Sequence, residues 1–292
     1  MKILVTGAKG FVGSALVKEL LLKKYFVKEF DAKRGHNILD KSSVMREMKG
    51  IDAVIHLAAI IENSNPKLWE VNVKGTHNIV EAALRKGVKK FVFLSSTGVY
   101  GFTHGMVNEK TKTNPENEYE KSKIVGEKIV LEAGGAMEVN IVRSAMVFGA
   151  NEYWKKMLKM LEKKHPLPCN GNNKYQIIYA KELARALELI LRKGKSGEIY
   201  LAAGKEKPTL NEFCEMMQEE MGLAKELKHI PSWMAVVMGK ITGAKLLTSE
   251  NIRHISKERN YDTRKIEKLG FRQKTNLKKA IKEVVGEIGL KK

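Results

Sequence analysis

Along the first 150 residues, short unbroken apolar runs alternate with longer stretches in which apolar residues recur every three or four positions. The runs KILVT (2–6), FVKEF (26–30), DAVIHLA (52–58), KFVFLSS (90–96) and VNIVRSA (139–145) predict strands. Between them, FVGSALVKELLLKK (11–24), a short segment around Ser42 to Met48, Pro66 to Lys86, and residues 117–133 predict helices. The third of these places Leu68, Val71, Ile79, Ala82 and Ala83 at roughly helical spacing. Strands that are apolar throughout, rather than alternating, are buried on both faces, as in a parallel sheet covered by helices. With right-handed crossovers, the pattern predicts an α/β fold with a doubly wound parallel sheet of the Rossmann type.

After Gly149 the rhythm breaks. Residues 152–164 read as a basic helix, followed by the loop HPLPCNGNN. YQIIY (175–179) reads as a strand and KELARALELILRK (181–193) as a helix, returning to the first pattern. TLNEFCEMMQEEMG then opens a helix with Thr209 as its N-cap, Glu212 at capping-box spacing and Gly222 at its stop. WMAVVM (233–238) reads as packing within this later part rather than a dimer or membrane contact. Residues 1–150 with 174–203 are expected to form the sheet domain. Residues 151–173 and 204–292 are expected to form a smaller, mainly helical lobe.

The turn GAKGFVG joins the first predicted strand to the first helix. Gly7 allows a tight turn, Gly10 lets a pyrophosphate approach the backbone, and Gly13 permits close packing of helix on strand, with the helix N-terminus favouring negative charge. This points to a bound dinucleotide. Asp31 ends the second strand, 24 residues past Gly7, where a carboxylate can accept both adenosine ribose hydroxyls and so favours NAD. Lys33 and Arg34 follow at once and leave NADP open, since they could instead meet a 2′-phosphate.

Tyr119 and Lys123 stand four apart in a predicted helix and therefore share a face. An ammonium beside a phenol stabilises the phenolate, and an ordinary tyrosine is a poor base near neutrality. The expectation is a tyrosine with a lowered pKa that handles a proton during hydride transfer, with Lys123 also bonding the nicotinamide ribose. SSTGVYG, at the carboxyl end of the fourth strand, offers Ser95, Ser96 and Thr97 as hydroxyl donors to a substrate oxygen.

Composition narrows the reading. The 292-residue chain carries a net charge of +20. The first 150 residues hold 23 basic and 16 acidic side chains, and the rest hold 30 and 17. The second half is the more basic, which suits anionic small-molecule ligands as well as a simple lysine-rich surface. Basic residues interleaved with aromatics, the mark of a nucleic-acid surface, are not evident. No apolar run approaches the length of a bilayer span, and MKILVTGAKG reads as strand and turn rather than a signal peptide. A cytoplasmic protein with neither nucleic-acid nor membrane partner is expected. The seven histidines and the two cysteines, Cys169 and Cys214, lack metal-ligand spacing, so free thiols and no metal site are expected.

Taken together, these residues resemble the extended short-chain dehydrogenase/reductase family of the NAD-dependent epimerase/dehydratase type. GAKGFVG is similar to its GxxGxxG turn, which implies cofactor contacts from Gly7, Gly10, Phe11, Val12 and Gly13. NIL (37–39) is similar to its adenine-contacting segment, with Asn37 in place of the usual Asp and Ile38 as the aliphatic residue. HLAA (56–59) resembles the stretch beneath the cofactor, implying Leu57, Ala58 and Ala59. NVKGTHNIVEAA supplies Asn72 as the matching polar residue. SSTGVYG is similar to SSxxVYG, which implies Ser96 as the catalytic hydroxyl, Thr97 as second choice and Ser95 as a cofactor neighbour. Tyr119 and Lys123 match the catalytic pair, and both would also touch the cofactor. VRSAMVFGA resembles the strand and loop entering the substrate site, and YDTRKIEKLGF a late family segment. Met146 stands where hexose epimerases often carry Asn, which weakens a specific epimerase assignment.

The resemblance implies an oxidoreductase or isomerase that oxidises a nucleotide-sugar and then epimerises or dehydrates it, with the cofactor recycled and a homodimer as the assembly. A net dehydrogenase or reductase of a small or sterol-like alcohol or ketone is the alternative. A non-catalytic dinucleotide sensor is a third reading, against which the intact Tyr119, Lys123 and Ser96 argue.

Overall fold

A computed structural model describes residues 1–242 and 247–289. Six strands form one all-parallel sheet: β1 (Lys2–Thr6), β2 (Phe26–Phe30), β3 (Ala53–His56), β4 (Lys90–Ser96), β5 (Glu138–Ser144) and β8 (Glu198–Ala202). Their order is β2-β1-β3-β4-β5-β8, so the chain reverses direction across the sheet between β1 and β3. Open sheets of this kind bind ligands at such a switch point, beyond the carboxyl ends of the strands.

The sheet is buried on both sides by alternating side chains. Ile3, Val5, Ile55 and Val92 pack with α1 (Phe11–Leu22) and α6 (Ala180–Lys193). Leu4, Val54, Phe91 and Phe93 pack on the other face with α2 (Lys41–Glu47), α3 (Thr76–Arg85) and α4 (Glu118–Glu132). This is why the strands read as unbroken apolar runs. The helix expected from Pro66 is entered through a wide π-helical segment, Glu70–Gly75, which continues into α3.

A third hydrophobic cluster lies apart from the sheet. It joins Phe148 and Trp154 to side chains of α5 (Glu152–Glu162), α7 (Leu210–Glu220) and α11 (Leu277–Ile288). α7 starts with the expected capping box between Thr209 and Glu212, and Gly222 stands in the left-handed region just beyond it. The short helices α8 (Ser232–Thr242), α9 (Ser249–Ile255) and α10 (Arg264–Lys268) complete this part of the chain.

Two expectations need correction. YQIIY is not the sixth strand of the sheet. Within it, Ile178–Tyr179 (β7) pairs with Val147–Phe148 (β6) in a separate two-stranded ribbon, and Tyr175 makes an isolated parallel bridge to Arg259. The sixth strand is EIYLA, which pairs along β5. WMAVVM is not a packing core: Ala235 is buried, but Trp233 is 68% and Val237 47% exposed, so this face of α8 looks outward. Among the described residues no helix is long and apolar enough to cross a membrane, and no group of three metal-ligating side chains meets. Cys169 and Cys214 are free thiols.

Candidate active site

The carboxyl ends of β1, β3, β4 and β5 open into a cleft of about 1360 Å³. Every sequence-predicted site residue except Asn72 lies on its wall.

The glycine turn forms one end. Gly7 has φ +69°, and a Cβ there would stand 2.9 Å from the Ala58 nitrogen. A Cβ on Gly13 would collide with the Gly7 carbonyl. The turn is therefore as tight as glycine alone allows. The first turn of α1 has Gly10 as its N-cap, no side-chain cap and no acidic residue. Its N–H groups have no intrahelical acceptor, which suits an anionic group. Asp31 is buried beside this turn, accepting hydrogen bonds from the backbone N–H of Lys9 at 2.8 Å and of Lys33 at 2.8 Å. The Arg34 side chain pairs instead with Glu29, at 3.3 Å. Ile38 packs on Gly75, and Asn37 accepts a hydrogen bond from the Leu39 N–H at 2.9 Å.

Beneath the turn, the buried His56 bridges Thr6 (2.5 Å) and Thr76 (3.0 Å), while the N–H groups of Leu57 and Ala58 donate to the Thr6 hydroxyl. Burial, and next the nearby Lys123 charge, push the His56 pKa down to about 3, so the imidazole is neutral. Asn72 is off the wall. Its amide grips both the N–H and the carbonyl of Ile60, each at 2.8 Å, and donates to Ser122 at 3.0 Å. It braces the loop after β3 against α4 rather than facing the cleft.

α4 packs tightly on β4, because a Cβ on Gly126 would press into the Phe93 ring at 2.7 Å. That contact aims Tyr119 and Lys123 into the cleft. The Lys123 ammonium lies 5.7 Å from the centre of the Tyr119 ring and donates to the Leu94 carbonyl at 2.9 Å. The expected lowering of the tyrosine pKa is not met. Burial, and next the Glu120 carboxylate, push Tyr119 above its ordinary value, and burial pushes Lys123 down to about 8 against the pull of Glu127. Desolvation outweighs the attraction between the two groups.

The three candidate hydroxyls separate clearly. Ser95 is buried and donates to Glu127 at 2.5 Å, and Thr97 donates to Tyr261 at 3.0 Å. Ser96 Oγ accepts from the Gly98 N–H at 3.0 Å, which leaves its own hydrogen for a ligand. Met146, in the loop between β5 and β6, also lies on the wall, with its sulfur taking a hydrogen bond from Tyr175.

The opposite wall was not expected residue by residue. Arg253, His254, Lys257 and Arg259, from α9 and the segment behind it, line the same cleft as Ser96 and Tyr119. Burial, and next the Arg259 and Lys257 charges, push His254 down to about 3, so it is neutral, and Arg259 is buried against the His254 and Lys257 carbonyls. The signal was present in the run NIRHISKER, within the more basic half of the chain. What the run lacked was any sign of where it would fold.

The model of the family described as "NAD dependent epimerase/dehydratase family" matches residues 3–203. An uncharacterized protein of Sinorhizobium fredii, y4nG, is 30% identical over 82% of this chain, which spans 66% of that protein's length. The N-acetyl-alpha-D-glucosaminyl-diphospho-ditrans,octacis-undecaprenol 4-epimerase of Escherichia coli O157:H7 is 25% identical, over 92% of this chain and 89% of its own. Among solved structures, the dTDP-glucose 4,6-dehydratase DesIV of Streptomyces venezuelae, with NAD and TYD bound, superposes with a TM-score of 0.81 at 22% identity. That match covers 98% of this chain and 96% of the other. At that identity the likeness concerns the fold.

Proposed function

Because the chain belongs to the NAD dependent epimerase/dehydratase family, we propose that it binds NAD and epimerises or dehydrates a nucleotide-sugar in the cleft between the sheet and the helical part. The observation that carries this reading is one cleft joining three features: the glycine turn, the Tyr119–Lys123 pair beside Ser96, and a cationic wall opposite. The turn suits a pyrophosphate, the pair suits proton chemistry at a carbon–oxygen bond, and the cations suit a second diphosphate. In this division, residues 1–150 with 174–203 hold the cofactor, and residues 151–173 with 204–292 supply the substrate lobe. The names of the relatives, an epimerase of a diphosphate-linked sugar and a dTDP-glucose dehydratase, point the same way.

The residues fit the dinucleotide. The backbone N–H groups of Phe11, Val12 and Gly13 would hold its pyrophosphate. Leu57, Ala58 and Ala59 would support it from the cleft wall, and Ile38 with Asn37 would hold its adenine. When bound, NAD supplies a reversible hydride acceptor at the sugar carbon. Ser96 donates to the substrate oxygen, and Tyr119 Oη exchanges the proton of that hydroxyl. Lys123, fixed by the Leu94 carbonyl, orients the nicotinamide ribose and keeps positive charge under the phenol. Asp31 takes the adenosine ribose hydroxyls, and with Arg34 turned to Glu29, NAD is preferred over NADP. In Asp31→Ala, the NAD Kd is expected to rise about tenfold, as for loss of charge-assisted hydrogen bonds worth about 1.5 kcal/mol, and the NADP Kd to rise less. Equal weakening, read by isothermal titration, would remove the ribose assignment.

The function itself is tested with UDP- and dTDP-sugars on NAD-loaded protein. The expected result is an isomerised or dehydrated sugar, seen by NMR, with no net build-up of reduced nicotinamide. Saturating substrate at about 100 times its Kd should raise stability by about 2.7 kcal/mol. Stoichiometric reduction of NAD by a simple alcohol, with no nucleotide-sugar turned over, would favour the net dehydrogenase instead.

A further inference from the structure

Glu116 sits three residues before Tyr119, on the cleft wall at the entrance to α4. One carboxylate oxygen accepts from Arg253 at 2.8 Å, and the other pairs with the Lys257 ammonium at 2.8 Å. Lys257 lies 3.6 Å from a Glu120 oxygen as well, and the other Glu120 oxygen accepts the Glu116 backbone N–H at 2.7 Å. The Lys257 side chain is only 11% exposed and that of Glu116 20%, so this pair meets largely out of bulk water, while Arg253, 62% exposed, reaches Glu116 from the solvent side. A second tie runs parallel: the Asn63 amide donates to Glu250 of α9, and its oxygen accepts the Tyr119 N–H at 2.9 Å. Burial opposes ionisation of Glu116, but Lys257 and Arg253 outweigh it and hold the carboxyl below its usual range. The group is charged at neutral pH.

Resting on the nucleotide-sugar reading, we propose that Glu116 is an internal anion that occupies the cation pair Arg253 and Lys257 and gives way to the substrate diphosphate. A carboxylate and a phosphate seek the same donors, and the guanidinium fork matches either one. A diphosphate brings more charge than Glu116, so the exchange runs toward the ligand, but only after the carboxylate has been displaced. Glu116 therefore sets the affinity for the diphosphate. The same exchange releases one of the two ties between α9 and the entrance of α4, the Glu250–Asn63 tie remaining, so ligand arrival and loosening of the Glu116 contact are one event. Glu120 stays beside Lys257 throughout and keeps the lysine from being left without a counter-charge.

The test titrates UDP, and separately dTDP, into the NAD-loaded full chain by isothermal calorimetry. Glu116→Gln keeps the side-chain length and removes the charge. Its UDP Kd is expected to fall about tenfold, as for the loss of two competing, partly exposed ion pairs. The gap between variant and wild type should narrow as salt rises, because it is electrostatic; a packing change would not follow salt. In an Arg253→Gln background, the gain from Glu116→Gln should shrink. An unchanged NAD Kd certifies the fold of each variant. If UDP binds the wild type and Glu116→Gln binds it equally or more weakly, the internal-anion role is overturned while the nucleotide-sugar reading stands. If NAD binds but neither UDP nor dTDP binds wild type or variant, both fall together.

Discussion

Replacing Tyr119 with phenylalanine is expected to lower kcat by about 10²- to 10⁴-fold, the usual contribution of a positioned proton-transfer group, and to leave the NAD Kd nearly unchanged. The ring stays, so the cleft keeps its shape; only Oη is lost. In this cleft burial holds Tyr119 well above its ordinary pKa, so the phenol is poised as a proton donor unless a bound group changes its surroundings. Lys123, with its pKa pushed down to about 8, shares that sensitivity to desolvation. The measurement is single-turnover conversion of a nucleotide-sugar alongside calorimetry with NAD. A Tyr119→Phe protein that turned over substrate at the wild-type rate would end the role assigned to the phenol, and with it the placing of chemistry at this end of α4.

The largest effect on stability is expected at Arg143. Its guanidinium grips Glu127 with two bonds, at 2.9 and 2.6 Å, and donates to Tyr100 at 2.9 Å. The two side chains are 6% and 5% exposed. Arg143→Met would leave the Glu127 carboxylate buried without its counter-charge, at a cost of about 3–5 kcal/mol. The double variant Arg143→Met with Glu127→Leu should recover most of that loss, because an apolar pair of similar volume removes the orphaned charge. Urea unfolding of wild type, single and double variants checks both statements. A single variant losing less than about 1 kcal/mol, the ordinary scale of an exposed pair, would mean that water reaches Glu127. The pair also matters to the cleft, since Glu127 lies one turn beyond Lys123 and raises its pKa against burial.

The strands β1 and β4 were legible to the residue, because a strand buried on both faces leaves a nearly unbroken apolar signature, and the edge strand β2 was legible although only Phe30 of it is buried. The same signature misled at YQIIY, whose burial comes from the helical part as well as from its short ribbon: Tyr175, Ile177 and Tyr179 belong to the third hydrophobic cluster. EIYLA was missed because it is short and follows a helix after only a few positions. WMAVVM shows the limit of hydropathy from the other side, since an apolar run says nothing about what covers it.

At the site, spacing carried the glycine turn and the Tyr119–Lys123 pair, because both are local. Spacing could not choose among Ser95, Ser96 and Thr97; that choice depends on Glu127 and Tyr261, which are 32 and 164 residues away. The cationic wall is more remote still: Arg253 meets Glu116 across 137 residues of chain. Asn72 was found by resemblance, but its work is mechanical, clamping Ile60. Arg143, set inside an apolar strand, was a readable hint that a buried carboxylate had to exist somewhere.

α4 turns on its axis no more than Gly126 against Phe93 and the Glu127–Arg143 clasp permit, and both restraints belong to the sheet half. The facing wall is borrowed from residues 249–261 and meets the entrance of that helix through the ion pairs of Arg253 and Lys257 with Glu116, of Lys257 with Glu120, and through the tie from Glu250 to Asn63. The helix that carries the proton-transfer pair is thus fixed by the sheet, while the cations near it come from a separate run of chain. Grafting the 249–261 run of a homologue with another sugar preference onto this sheet half should retune selectivity without recalibrating the proton step.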